Sequence, residues 1–324
     1  MPLSRMHLAI ATAFAAIYLL WGSTYLALAL ALQSLPPFTV MAARCLIGGA
    51  ILYAAARAAG TSAPPLKAVM LAAFCGVLFF VGCHGLLAYA QQRVHSGLAA
   101  ILLATIPLWI TLLQVLVPGG ERPTWKTIAF LFPGVAGVAL IASQETSTGG
   151  VRASDIVLLL VASLSWAAGT FVSERYSGSF SPLALSGLEL LAGGIALLAV
   201  GATRGEFGGL HLSNVSAVSI AGWAYLTLMG TVVAFAAYIW LLKQVPATLV
   251  ATYTFVNPII AVLVGWIFLG EKLSFWMLAG AALVIASVAG MLLARSKSQR
   301  KAKTSWPVQL AMVSSRDRQA SRAR

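Results

Sequence analysis

Apolar residues in this chain do not alternate with polar ones; they run together. Marking runs of about 20 apolar residues, and breaking at charges, prolines and glycine clusters, yields ten segments. They cover approximately 8–32, 37–59, 66–90, 94–117, 124–143, 154–174, 182–203, 215–242, 246–269 and 274–294. At about 1.5 Å per residue a 20-residue helix reaches across a ~30 Å hydrocarbon core, so each run predicts a transmembrane helix. The connections are short, which predicts one packed bundle. The expected fold class is all-α integral membrane with ten transmembrane helices.

The runs repeat. Trp21 aligns with Trp166, Pro37 with Pro182, the pair Gly48 and Gly49 with Gly193 and Gly194, and Gly60 with Gly205, all at an offset of 145. Further on, Pro107 meets Pro258, Gly119 meets Gly270 and Trp125 meets Trp276 at an offset of 151, and a longer loop around 205–216 absorbs the difference. The domain reading is therefore a first five-helix repeat at 1–145, a second at 150–294, and a basic tail at 295–324. The tail is rich in Ser, Arg, Lys and Gln and is expected to be disordered. An odd number of crossings per repeat starts the second half on the opposite side of the membrane, so the two halves are inverted, an architecture used by transporters.

Composition agrees: 60% of residues are hydrophobic and 9% charged, which excludes a water-soluble domain. The net charge of +13 points to nucleic acid only until it is located, because nine of the 21 basic residues follow Ala294. No nucleic-acid partner is expected. Placing the N-terminus inside collects Arg5, Arg57, Lys67, Arg122, Lys126, Arg175, Lys243 and the tail on the cytoplasmic side, against Arg93, Arg152, Arg204 and Lys272 outside. Both termini are thus expected in the cytoplasm, with the tail free to meet anionic lipid. The N-terminal run is too long for a signal-peptide core and reads as a retained first helix. Cys45, Cys75 and Cys83 lie in apolar runs without metal-ligand spacing, so neither metal nor cofactor is expected.

Candidate chemistry stands out as polar residues where an anchoring helix would use leucine. Trp21, Ser23, Thr24 and Tyr25 fall near the middle of the first run, and Trp166 and Thr170 near the middle of its repeat mate. At a repeat interface such residues suit a substrate wall, with aromatic faces for apolar groups and hydroxyls for polar ones. Helix packing, with hydroxyls bonded back to their own helix, is the alternative. Pro107 and Pro258 leave the carbonyls of Leu103 and Thr254 without their helical donor, and Asn257 beside Pro258 needs partners of its own. Tyr253 and Trp240 add aromatic surface on other helices. Arg44, His84 and Glu189 are the ionisable groups well inside the apolar runs. The expectation is that Arg44 meets a substrate carboxylate or an outer gate, that Glu189 meets an amine or an inner gate, and that His84 is a proton-coupling candidate, with structural pairing open for each. Paired carboxylates, a nucleophile with its base and a metal-ligand set are all missing from the sequence pattern, so no catalytic residues are expected.

The residues WGSTY in the first run, AARCLIGG around Arg44, and TYTFVNPIIAVLVGWIFLGEKLS across the last two, in ten helices of two related halves, resemble the EamA family of the drug/metabolite transporter superfamily. The resemblance spans roughly Leu8 to Ala294. It implies a multi-pass carrier of the bacterial inner membrane that moves amino acids or related small metabolites, usually outward. A lipid-linked or polyprenyl carrier of the same fold is one alternative, and an intramembrane enzyme is another of a different class. Glu121 and Glu271 resemble the family's interfacial Gly-Glu signature and are expected to cap the helices that follow them. Many family members carry a basic residue at both positions matching Arg44 and Glu189, so a site symmetric in charge is not expected here. The fifth and tenth runs, almost without polar side chains, are expected to form outer wall or a homodimer surface.

Overall fold

The computed structural model describes residues 3–117, 124–147, 151–178, 180–245, 247–291 and 293–294, and every long element among them is a helix. Eight are long and apolar enough to cross a membrane: α1 (Met6–Ala31), α2 (Pro37–Ala58), α3 (Leu66–Gln91), α4 (Ser96–Leu116), α5 (Trp125–Gln144), α6 (Ala153–Tyr176), α7 (Pro182–Thr203) and α8 (Ala217–Gln244). Two shorter apolar helices follow, α9 (Tyr253–Leu269) and α10 (Phe275–Met291). The ninth expected run differs most: a short helix Ala247–Val250 turns before α9 begins, so the run is split. The tail after 294 and Glu121 lie outside the described residues.

Helix boundaries follow local chemistry. Prolines open α2 and α7, where a missing N–H costs nothing because the first turn has no helical acceptor. Gly270 ends α9 at φ 63°, a left-handed turn that glycine adopts without strain. Pro107 restarts α4 after a turn at Ala104 and Thr105, and the Thr105 hydroxyl donates to the Leu102 carbonyl (2.6 Å).

Of the glycines aligned in the sequence, Gly49 and Gly193 serve packing, as does Gly187, whereas Gly60, Gly205 and Gly270 stand at positive φ in turns. A Cβ on Gly49 would lie 2.8 Å from Leu190 Cβ, one on Gly187 would lie 2.7 Å from the Tyr53 backbone nitrogen, and one on Gly193 would lie 2.6 Å from the Gly76 carbonyl oxygen. Helix α7 is therefore pressed against both α2 and α3 with almost no side-chain volume between them. Small residues on α5 and α10 act likewise, with a Cβ on Gly137 reaching 2.6 Å from the Gly280 carbonyl, and Ser287 donating to the Phe130 carbonyl.

Two stretches are wound as π-helix, Val77–Gly85 in α3 and Leu226–Val233 in α8. Such windings are rare, widen the helix and shift its side chains out of α-helical register. Side chains of other helices take up carbonyls in both: Ser165 donates to Leu78 (2.8 Å), and Trp21 Nε1 donates to Gly230 (2.9 Å).

One end of the bundle is laced across. Arg93 pairs with Asp155 (2.5 Å), and the guanidinium groups of Arg93 and Arg204 both lie over the Tyr89 ring, 4.8 and 5.0 Å from its centroid. The Glu206 carboxylate accepts from the Phe38 and Thr39 backbone N–H groups (3.1 and 2.7 Å) at the start of α2. Glu271 does the same for Ser96 and Gly97 (2.7 and 3.1 Å) at the start of α4. This corrects the expectation that Glu271 caps the helix after it. Helix starts present bare N–H groups and a positive dipole end, and the α9–α10 connection carries the carboxylate over that of α4. Beside Asp155 the Arg93 guanidinium is held above its ordinary pKa, chiefly by the side-chain hydrogen bond. A cation whose pKa rises on folding contributes at all pH values below its ordinary value and is lost only as pH climbs through the raised one, so the pair's cation does not titrate near neutrality.

Candidate functional site

Counting inward from the laced end, Arg44 is seven residues into α2, His84 seven from the end of α3, and Leu103 seven into α4. At 1.5 Å per residue these positions share a depth of about 10 Å. Tyr25 in α1 and Leu226 in α8 come to nearly the same level. There the five helices enclose a cavity of about 50 Å³, with Thr24, Tyr25, Arg44 and His84 as its polar lining and Leu28, Leu87, Leu103 and Leu226 as its apolar one.

Arg44 is 8% exposed, and its Nε donates to Thr231 Oγ1 (2.8 Å), its one hydrogen bond among the described residues. Thr231 is posed by the π-winding: its hydroxyl donates to the Leu226 carbonyl five residues back (3.0 Å), leaving a lone pair for Arg44. Four guanidinium N–H donors remain. Among the described residues the ionisable groups near Arg44 are Tyr25, Cys45, Cys83 and His84, none of them a carboxylate. His84 stacks on Phe80 (5.5 Å between centroids) and meets Trp166 edge-on (5.0 Å), while its Nδ1 has no hydrogen bond of ordinary geometry.

The remaining sequence candidates take other places. Trp21 packs with Tyr253 (4.7 Å) and Tyr238 (5.4 Å) in an aromatic cluster between α1, α8 and α9, one turn from Tyr25. Trp166 belongs to a second cluster with Phe79 (4.7 Å). The hydroxyls of Ser23, Thr24 and Thr170 donate to carbonyls of Leu19, Trp21 and Trp166 on their own helices (2.6, 2.5 and 2.9 Å), and Ser23 also bonds the Tyr225 hydroxyl (2.7 Å). Gly22 lets α9 approach: a Cβ there would meet Ile260 Cβ at 2.6 Å and the Asn257 carbonyl at 3.3 Å. Asn257 keeps an unpartnered buried Oδ1, and Pro258 sits buried inside α9. Glu189 accepts from Ser173 (3.1 Å), away from the cavity, between α6, α7 and α3. Thr231 was not among the sequence candidates, because a threonine in an apolar run gives no sign of the π-winding that aims it.

A second hollow, an apolar groove of about 630 Å³, opens between α1 and α8 and is lined by Leu8, Thr12, Ala16, Ala236 and Trp240 among others.

Known proteins share this pattern. The model of the EamA-like transporter family matches residues 8–143 and again 153–293. YedA, an inner membrane transporter of Escherichia coli K12, is 32% identical over 275 residues, covering 83% of this chain and 86% of YedA. The transporter YoaV of Bacillus subtilis is 24% identical, with coverage of 84% and 92%. A solved crystal structure superposes with a TM-score of 0.60 at 20% identity, over 89% of this chain and 98% of the other, which shows the fold. The all-helical bundle of apolar helices and the two family matches together make the chain a multi-pass membrane protein that belongs to the EamA-like transporter family.

Proposed function

We propose that this chain is an inner-membrane carrier that exports amino acids or related small metabolites by alternating access. The observation that carries this reading is the cavity of Arg44, Tyr25, Thr24 and His84, where five helices place polar groups together inside an apolar bundle. Ionisable groups in a membrane interior are costly and serve substrate or ion paths by default.

Ten crossings in two inverted halves form part of the proposal, with the shorter α9 and α10 completing the second. Supporting it, the family model matches once in each half, and the two π-windings fall at corresponding places. The cross-bonds correspond too: α1 bonds the winding of α8 through Trp21, and α6 bonds that of α3 through Ser165. With both termini in the cytoplasm, as the basic residues suggest, the laced end is the outer one. Pockets for metabolite-sized ligands measure roughly 300–1,000 Å³. A cavity of about 50 Å³ therefore has to expand, and the irregular turn of α1 at Ser23, between the helical stretches that end at Gly22 and begin at Thr24, and the π-wound part of α8 are the places we expect to yield. Trp21, Trp166 and Tyr253 then close on the substrate from the sides, Pro107, Asn257 and Pro258 bend α4 and α9, Thr170 steadies α6, and Glu189 gates the end opposite the lacing. A homodimer, if formed, uses the outward Phe132, Phe275 and Trp276.

The apolar groove between α1 and α8 favours a second reading, a lipid-linked substrate whose chain lies in that groove. Uptake of a labelled amino-acid panel into liposomes holding the purified protein, with and without a pH gradient, decides between them. Saturable, competable entry of one amino acid supports the first reading; no entry above empty liposomes, with movement of a labelled polyprenyl phosphate, replaces it with the second.

A further inference from the structure

We infer that the cavity at Arg44 is an anion site, which takes a small organic acid by its carboxylate and offers no counter-charge to an ammonium group. The inference deepens the carrier reading and rests on it. Its basis is an imbalance of charge. Among the described residues Arg44 is the sole permanently charged group lining the cavity, and that lining includes no carboxylate. Glu189, the repeat mate of Arg44, is engaged by Ser173 on α6 and packed against α3.

A guanidinium in an apolar interior is costly unless paired and hydrogen-bonded. Thr231 supplies one neutral acceptor, and four donors in a planar fork are left over. That fork matches a carboxylate in bidentate fashion, which both neutralises the charge and fills the donors. A neutral amide meets the donors without cancelling the charge, and an amine is repelled. A zwitterion gains the same carboxylate contact, but its ammonium is stripped of water where the lining offers no anion. The four leucines leave the rest of the ligand an apolar environment. Acids lacking an amino group should therefore bind ahead of the corresponding amino acids.

The test uses two matched sets: phenylpropanoate, phenylpropanamide, phenylalanine and phenethylamine, and isocaproate, isocaproamide, leucine and isopentylamine. Binding to the purified full-length protein is read by ligand protection against thermal unfolding, and exchange is read separately in liposomes. In the parent the acid should bind about tenfold or more tightly than its amide, amino acid or amine. Arg44→Gln should lose that preference, and Arg44→Lys, which keeps the charge without the fork, should retain part of it. Thr231→Val, which unpins Nε and leaves both charge and volume, guards against Arg44→Gln failing to fold, and should weaken acid binding about three- to tenfold. Equal binding of acid and amino acid, an acid affinity unmoved in both Arg44→Gln and Thr231→Val, or no acid binding at all overturns the inference. Arg44-dependent binding without exchange of any compound upholds the anion site and defeats the carrier reading. Amino-acid exchange indifferent to Arg44 does the reverse.

Discussion

Arg44 and Glu189 stand 145 residues apart, one in each of the two family matches, and each lies seven residues into a helix that opens on proline. Both are buried, at 8% and 6% exposure. Their surroundings differ. Arg44 borders a hollow, because the widened part of α8 brings Thr231 against Gly48 and leaves space toward Tyr25 and His84. Around Glu189 that space is filled: a side chain on Gly76 would strike the Glu189 carbonyl oxygen, and Gly193 presses on Phe80. Equal depth in two proline-opened helices therefore leaves the role of a charge to be decided by which neighbour comes close. Each charge lies beside a π-wound helix; where glycines let the two backbones touch, the charge is sealed in, and where the Thr231 side chain stands between the helices, it faces a cavity.

Arg44→Gln puts the greatest strain on this contrast. Exchange in liposomes should fall about 10- to 100-fold, the range for losing a hydrogen bond to a charged group. Thermal stability should hold or rise, since an unpaired buried cation is being removed. Glu189→Gln keeps the shape and the Ser173 bond on which gating by Glu189 would rest, and should lower exchange by about threefold at most. The opposite ranking of the two variants would mean that the filled side, not the hollow one, handles substrate.

Stability should show the reverse asymmetry. Gly76→Val drives a side chain into the backbone of α7 beside Glu189, which cannot move aside, and overpacking of that kind costs about 1–3 kcal/mol or more. Gly48→Ala meets the Thr231 side chain, its methyl at 2.6 Å and its Cβ at 3.3 Å, rather than backbone. A clear drop in melting temperature for Gly76→Val, with little change in melting but reduced exchange for Gly48→Ala, is the expected pair. Equal melting for both would show that the Glu189 side is looser than its glycines indicate.

Much of this was legible in the chain. Apolar run length placed the helix ends to within a few residues, apart from the ninth run, because run length is what spanning a bilayer demands. Arg44, Tyr25, Thr24 and His84 stood out as polar residues in apolar company, and the fold brings these four together. The hydroxyls of Ser23, Thr24 and Thr170 all bond back to their own helices, yet Thr24 alone of these three lines the cavity, and no pattern of residue types makes that distinction. The π-windings left no trace in apolar periodicity, so Thr231 stayed hidden. Glu271 could be recognised as interfacial but not assigned to α4, because that contact is made across the fold.

Thr231→Val tests the winding itself. If the hydroxyl posed by the Leu226 carbonyl is what aims the guanidinium, its loss should lower exchange about three- to tenfold without unfolding the protein. Thr231→Ser, which keeps the hydroxyl, should recover most of the loss. Failure of serine to rescue would assign the effect to packing against Gly48.

The smallest expected effect gives the most local view of the two regions. The chain carries native reporters on each side: Cys45 follows Arg44 in α2 and Cys83 precedes His84 in α3, while Cys75 lies by Glu189 with its thiol toward the Gly169 carbonyl (3.8 Å). All three are free and buried. In single-cysteine variants, labelling by a small maleimide requires the bundle to open locally, and the rate reports how often it does. A ligand held at Arg44 should slow labelling at Cys83 by about two- to threefold, as expected for partial occupancy of a site whose opening is rate-limiting, and leave Cys75 unchanged. Equal protection at Cys75 would mean that the ligand closes the whole bundle, and that the hollow and the filled side move as one. Protection at Cys75 alone would relocate the site to Glu189 and undo the comparison from which these expectations start.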